Sequence, residues 1–257
     1  MQSVKAKKHL GQHFLNDESI AKSIVEALLS VNDTQPVIEI GPGMGVLTKH
    51  LLASNVNFKA LDVDEESIAY LKENYPNAAE KFLFADFLTS QPNQLFDEKF
   101  NVIGNFPYNI SSQIMFKVLE HKNDVEVVVG MFQKEVAERI AEKPGSKTYG
   151  ILSVLLQAFY DIEYLFTVHE NVFTPPPKVK SAVIRLKRNK TKQLNCNEKL
   201  FVKVVKACFN QRRKMIRNSV QSLLNDKTLQ HPLFTQRPEQ LSVKEFVDLT
   251  NFVEQNI

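Results

Sequence analysis

Apolar positions along this chain alternate between two rhythms. Over 19–30, Ile20, Ile24, Val25, Leu28 and Leu29 recur at helical spacing, with Asn16 or Asp17 placed to cap the helix. A short apolar run at 37–40 follows and breaks into the glycine turn "GPGMG". The same exchange repeats downstream. Helices are predicted over 46–54, 66–75, 111–120, 133–142 and 151–160. Strands are predicted over 56–64, 81–88, 99–105, 124–132, 162–168 and 181–188. Such alternation predicts an α/β fold with a mostly parallel sheet covered on both faces. "KPGSKTYG" at 143–150 reads as a loop, and "FTPPPKVK" as a stiff connection between the last two strands. Beyond about residue 190 the strand rhythm stops. "EKLFVKVVKACFNQRRKMIRNSVQSLL" and "SVKEFVDLTNFVEQN" both read as helices. The predicted organisation is a main domain over 1–190 and a small α-helical domain over 191–257, without internal repeats.

Composition narrows the class. At 43% hydrophobic and 24% charged, the 257 residues describe an ordinary globular protein. No apolar run approaches the ~18 residues of a membrane span, and the N-terminal lysines precede no apolar stretch of a secretory signal. Cys196 and Cys208 make neither a disulfide framework nor a metal-ligand spacing, which predicts a reducing cytoplasm and no metal. Net charge is only +3, but residues 178–217 hold 14 Lys and Arg against one acid, Glu198. A block of that kind points to a polyanion.

The glycine turn supplies the first chemistry. Gly41, Gly43 and Gly45 follow a strand, where small residues let the backbone approach a ligand closely. Asp62 ends the next strand, 21 residues after Gly41, where a carboxylate accepts from ribose hydroxyls. The spacing is not the G-x-G-x-x-G of hydride-transfer enzymes. Glu39, two residues before the first glycine, would repel a pyrophosphate but suits a cation. These features favour S-adenosylmethionine, with Asp86 at the next strand end for the adenine amine. The plain alternative makes Asp62 and Asp86 helix caps.

"NFPY" at 105–108 supplies the second. An exocyclic adenine amine is a poor nucleophile because its lone pair is delocalised into the ring. Two acceptors on its N–H groups draw it toward a reactive geometry. The Asn105 side-chain oxygen is one, and the carbonyl of Phe106 or Pro107 the other. Pro107 stiffens the turn, and Tyr108 offers a ring to stack on the base. No general base is needed, which agrees with the scattered histidines His9, His13, His50, His121, His169 and His231. The plain alternative is a strand-to-helix turn.

Together these segments resemble the small-subunit, 16S-type ribosomal RNA adenine N6,N6-dimethyltransferases. The likeness runs through "KKHLGQHFLND" (7–17), "EIGPGMGVLT" (39–48), "LDVDE" (61–65), "ADFL" (85–88), "GNFPYNISS" (104–112), "KPGSKTYGILSV" (143–154) and "VFTPPPKVKSAVIRL" (172–186). It continues more loosely through "FNQRRKMIRNS" (209–219). The resemblance implies a Rossmann-like S-adenosylmethionine-dependent methyltransferase sheet whose last strand is antiparallel. It also implies two methyls on each of two adjacent adenines in a hairpin loop near the 3′ end of small-subunit RNA. Cofactor positions fall on His13, Leu15, Gly41, Asp62, Asp86 and Asn105, with Gly43 added from the turn itself. Catalytic positions fall on Asn105, Pro107, Tyr108 and Phe173, the last facing the base opposite Tyr108; the alternative for Phe173 is an ordinary core ring. The family often carries Glu where this chain has Asp62, and commonly Leu where it has Phe106.

The expected RNA contacts are Lys178, Lys180, Arg212, Arg213, Lys214 and Arg217, with Arg185, Lys187, Arg188 and the N-terminal Lys5, Lys7 and Lys8 assisting. The expected partner is small-subunit RNA in a pre-ribosomal 30S-type particle, bound by a monomer. Three rivals remain: a large-subunit RNA adenine methyltransferase, a ribosome-assembly factor with secondary catalysis, and a nicotinamide dehydrogenase.

Overall fold

In the computed structural model, which describes residues 4–257, a tight turn at Lys8–Leu10 leads through β1 (Phe14–Leu15) into α1 (Glu18–Leu29). Asp17 is the residue that caps α1, accepting from the amides of Ser19 and Ile20. The chain then alternates as the apolar pattern requires: β2 (Val37–Ile40), α2 (Thr48–Ala53), β3 (Phe58–Asp62), α3 (Glu65–Asn74), β4 (Phe82–Phe84), β5 (Phe100–Asn105), α4 (Ser111–Glu120) and β6 (Val125–Gln133). After α5 (Lys134–Ala141) and α6 (Ile151–Gln157) come β7 (Tyr160–Val168), β8 (Phe173–Thr174) and β9 (Ser181–Arg188). The helices α7 (Glu198–Asn210), α8 (Ile216–Val220) and α9 (Val243–Glu254) complete it.

Seven strands make one sheet in the order β4-β3-β2-β5-β6-β9-β7. From β4 to β6 every pairing is parallel, and β9, last in the chain, runs antiparallel to β6. This is the predicted Rossmann-like sheet. Its central strands are apolar toward both faces, as a sheet covered on both sides demands: Val37, Ile38 and Ile40 on β2, Val102 and Ile103 on β5, and Val127 to Val129 on β6 are buried. Ile24, Val25 and Leu28 of α1 join the apolar core that this sheet shares. The sheet grows outward from β2 to β4 and then returns to place β5 on the other side of β2. Such an order reversal opens a crevice at the carboxyl ends of the strands.

Three elements differ from the pattern reading. β4 stops at Phe84 rather than 88, because Asp86 turns the chain: its carboxylate accepts from the Leu88 amide at 2.8 Å and its carbonyl from Ser90 at 2.9 Å. The helical run at 198–224 breaks between α7 and α8, where Arg212 and Lys214 donate to carbonyls three residues back. β1 and β8 pair antiparallel, Leu15 opposite Phe173, over a ladder too short to leave a period in the sequence.

The chain divides into two compact units. One runs to Ala137 and resumes over Ile162–Arg188, and the other comprises Glu138–Asp161 and Asn189–Ile257. The boundary at 190 is therefore not the whole division, because 138–161 belongs with the C-terminal helices. Aromatic packing and hydrogen bonds explain this. Tyr149 is fully buried with its ring 6.2 Å from Phe209, and Phe209 stacks on Phe246 at 6.0 Å. Arg212 donates to the carbonyls of Lys147 and Tyr149, and Gly145 donates to the Glu239 carbonyl at 2.7 Å. Among the described residues, no helix is long and apolar enough to cross a membrane.

Candidate active site

Four adjacent strand ends build one cavity. Gly41 follows β2, Asp62 ends β3, Asp86 follows β4 and Asn105 ends β5, so the sheet order sets them side by side. A cavity of about 190 Å³ is lined by His13, Gly41, Gly43, Asp62, Asp86, Asn105, Pro107 and Tyr108, among others. A recess of about 30 Å³ shares Phe14, Gly41, Gly43 and Asn105 with it and adds Leu15 and Glu39. That space suits a small polar group rather than a ring.

On the glycine side the backbone is shaped for close approach. Gly41 and Gly43 have φ of 68° and 54°, a region that L side chains rarely adopt. A Cβ on Gly43 would lie 2.8 Å from the Phe14 ring, whereas one on Gly41 would meet nothing nearer than Pro107 at 3.8 Å. Gly41 therefore keeps clear space between the turn and Pro107. Asp62 is buried, which raises its pKa, while its oxygens accept from the amides of Asp64 at 2.9 Å and Gly43 at 3.3 Å. The cap of α3 is Asp64, not Asp62. Glu39 is 1% exposed and takes a hydrogen bond from the Thr48 hydroxyl at 2.7 Å. Burial pushes its carboxyl up to about 8, against the Thr48 bond and with help from the Asp62 charge.

On the NFPY side the amide orientation is set by one bond. Asn105 Nδ2 donates to the His13 carbonyl at 2.8 Å, which leaves the side-chain oxygen as the acceptor. The Pro107 carbonyl already accepts from Ile110 at 3.2 Å, so of the two predicted main-chain acceptors Phe106 is the less engaged. The Tyr108 hydroxyl and the buried Ser181 hydroxyl share a hydrogen bond of 2.5 Å, and burial raises the Tyr108 pKa. The Tyr108 ring stacks on His13, centroids 5.4 Å apart. His13 Nδ1 lies 2.7 Å from the Pro175 carbonyl, which can only accept, so the proton sits on Nδ1.

A family model, ribosomal RNA adenine dimethylase, matches residues 3–255. The chain belongs to the ribosomal RNA adenine dimethylase family. Ribosomal RNA small subunit methyltransferase A of Flavobacterium johnsoniae is 59% identical over 99% of this chain and 98% of its own. Its counterpart in Cytophaga hutchinsonii is 58% identical over 98% and 99%. Among solved structures, a dimethyladenosine transferase from Plasmodium falciparum shares the fold, with TM-score 0.78, 23% identity and coverage of 95% and 98%. The 23S rRNA methyltransferase ErmE superposes with TM-score 0.67 at 26% identity, covering 93% and 99%.

As a member of the ribosomal RNA adenine dimethylase family, this chain accommodates its Phe106 in a specific way. The ring points into the core, 5.2 Å edge-on to Phe132. A Cβ on Gly130 would lie 2.2 Å from it, and one on Gly104 would lie 2.7 Å away. Gly130 thus makes room for the ring, Gly104 is required as much by the Ile40 carbonyl at 2.6 Å, and Phe106 still contributes to the cavity lining.

The expectations for Phe173 and for four of the basic residues are corrected. Phe173 does not line the cavity: it is 3% exposed, paired opposite Leu15 and packed in the apolar core, so the core-ring alternative holds. Arg212 does not stand free for phosphates, since its guanidinium serves the Lys147 and Tyr149 carbonyls and lies over the Phe209 ring. Arg185 and Arg188 likewise donate to the carbonyls of Ala27 and Lys122, and Lys7 pairs with Asp64 and Glu66. Lys178, Lys180, Arg213 and Lys214 are exposed, and Arg217 is half-buried. Residue reading missed Val63 and Leu88, apolar neighbours of the strand-end acids that line the cavity. A flat base needs apolar faces beside its polar contacts, and that requirement was the available signal. It also missed Asp64 and Ser181, whose importance lies in partners remote in sequence.

Proposed function

We propose that this chain is an S-adenosylmethionine-dependent ribosomal RNA adenine-N6 dimethyltransferase acting on two adjacent adenines of small-subunit RNA, in a hairpin loop near its 3′ end. The observation that carries the reading is the Asn105 amide, tied by Nδ2 to the His13 carbonyl and lining the same cavity as Gly41, Asp62 and Asp86. The cavity suits the donor: Gly41 keeps space open, Asp62 and Asp86 offer acceptors to ribose and adenine, Val63 and Leu88 offer apolar faces, and buried Glu39, protonated in the free protein, lies at the recess where a cationic end would favour its ionised form. When bound, S-adenosylmethionine supplies an electrophilic methyl group on a sulfonium.

The chain's own residues do the rest. The Asn105 oxygen and the Phe106 carbonyl accept from the two N–H groups of the target amine and localise its lone pair. Tyr108, braced by Ser181, presents ring surface to the base. The methylated amine is acidic and loses its proton to water, so positioning carries the rate. Flipping the adenine out of its stack costs a few kcal/mol, and aromatic stacking returns ~1–3 kcal/mol. Net affinity then comes from phosphate contacts of Lys178, Lys180, Arg213, Lys214 and Arg217, and weakens steeply with salt. The protein works as a cytoplasmic monomer on a pre-ribosomal particle, without a metal.

The test is mass analysis of small-subunit RNA from cells lacking this protein, before and after treatment with protein and donor. Two adjacent dimethyladenosines should appear only after treatment. Methylation of purified large subunits instead would favour the reading drawn from the likeness to ErmE.

A further inference from the structure

Residues 4–13 supply one wall of the cavity through Leu10, Gly11, Gln12 and His13, yet none of the ten is buried. Val4, Ala6 and Leu10 are only half-buried, so apolar burial holds this segment weakly and polar ties add to it. They converge on Asp64, whose side chain has no solvent exposure. Its Oδ1 accepts from Lys7 Nζ at 2.6 Å and from the Glu66 amide at 3.2 Å. Its Oδ2 accepts from Gln12 Nε2 at 2.9 Å and from the Ser67 hydroxyl at 3.0 Å. Gln12 in turn accepts from the Lys7 amide at 2.8 Å, and Lys7 Nζ also reaches Glu66 at 3.2 Å. Residues 7–12 thus close as a loop on one carboxylate.

A helix cap needs a single oxygen, and here the Glu66 amide takes Oδ1. The bonds to Lys7 and Gln12 exceed that duty. Burial alone would raise the Asp64 carboxyl, but the bonds from Gln12, Lys7 and Ser67 hold it below its ordinary value, so it remains an anion. The Asp64 amide donates to Asp62 Oδ1, and at the far end of the segment the His13 carbonyl holds Asn105.

We propose that Asp64 is a positioning residue for the reaction: through Lys7 and Gln12 it holds the Leu10–His13 wall in the shape that completes the donor cavity and, through the His13 carbonyl, sets the Asn105 amide. This rests on the reading of the cavity as the donor site. Lys7 does not line the cavity. A change in donor affinity on altering Lys7 therefore passes through the clasp.

The experiment titrates S-adenosylmethionine into the full chain without RNA, by calorimetry, for the unaltered protein, Lys7→Met, Lys7→Arg and Asp64→Ser. Serine keeps the helix cap but loses the clasp. Donor binding should weaken about tenfold in Lys7→Met and Asp64→Ser and recover in Lys7→Arg. The KM for donor should rise while the KM for RNA holds. Unchanged donor affinity in both weakened variants overturns the proposal, as does a loss confined to thermal stability. Failure of the unaltered protein to bind the donor overturns the donor-site reading, and the proposal with it.

Discussion

Two sets of polar residues stand out in this chain, and folding treats them differently. The strand-end set, Gly41, Gly43, Asp62, Asp86 and Asn105, all comes to one cavity. The cations of the basic block divide. Arg185, Arg188 and Arg212 turn back to main-chain carbonyls of Ala27, Lys122, Lys147 and Tyr149, whereas Lys178, Lys180, Arg213 and Lys214 face solvent. A residue at a parallel strand end is placed by the sheet ladder to within a few ångströms. A cation on a long arm is placed by whatever acceptor lies within reach, and the five donors of arginine make it the more readily captured. Charge counted along a sequence therefore overstates the charge left for a partner.

The widest break in that comparison comes from the amide. Asn105→Ala should lower methyl transfer about 10²–10³-fold, the scale of losing a fixed dipole at a reacting centre. Donor and RNA affinities, measured separately by calorimetry and filter binding, should shift far less. Transfer that survives within a few-fold would remove Asn105 from the chemistry.

The buried acid comes next. Glu39 has a folded pKa raised to about 8 from 4.5, so between those values the native state holds a proton that the unfolded chain releases. Stability then falls as pH rises through that window, by on the order of a few kcal/mol in this buried site. Denaturant unfolding from pH 5 to 9 should show the decline, and Glu39→Gln should flatten it.

Within the basic block, a pair of variants sharpens the division. Arg212→Ala should lower stability by about 1–3 kcal/mol, because two carbonyls lose a charged donor and Phe209 loses its cover. Lys214→Ala should leave the melting temperature alone and reduce the salt slope of RNA binding by about one. If both variants behave alike, the division between captured and free cations fails. The smallest effect belongs to the Tyr108–Ser181 bond. Tyr108→Phe and Ser181→Ala should each slow transfer by a factor of about 2–5, the worth of one hydrogen bond, and the double variant should add little. Additive losses would mean that Ser181 does not act through Tyr108.

Much of the architecture could be read from local pattern, because a strand buried on both faces needs a continuous apolar run and a helix needs a repeating stripe. That logic found the strands of the parallel sheet, α1 and α4, and it located Gly41, Asp62, Asp86 and Asn105 as the residues where strands stop. It erred where a remote partner decided the outcome. Phe173 looked available until β8 paired it opposite Leu15, and the boundary at 190 held no sign that Tyr149 would pack on Phe209. The sequence by itself determined which residue types sit at strand ends, and hence the class of chemistry. The tertiary structure alone decided that β5 returns to the side of β2, that Asp64 gathers Lys7 and Gln12 from more than fifty residues away, and that His13 orients Asn105. Those choices depend on hydrogen bonds between distant segments, and no local periodicity records them.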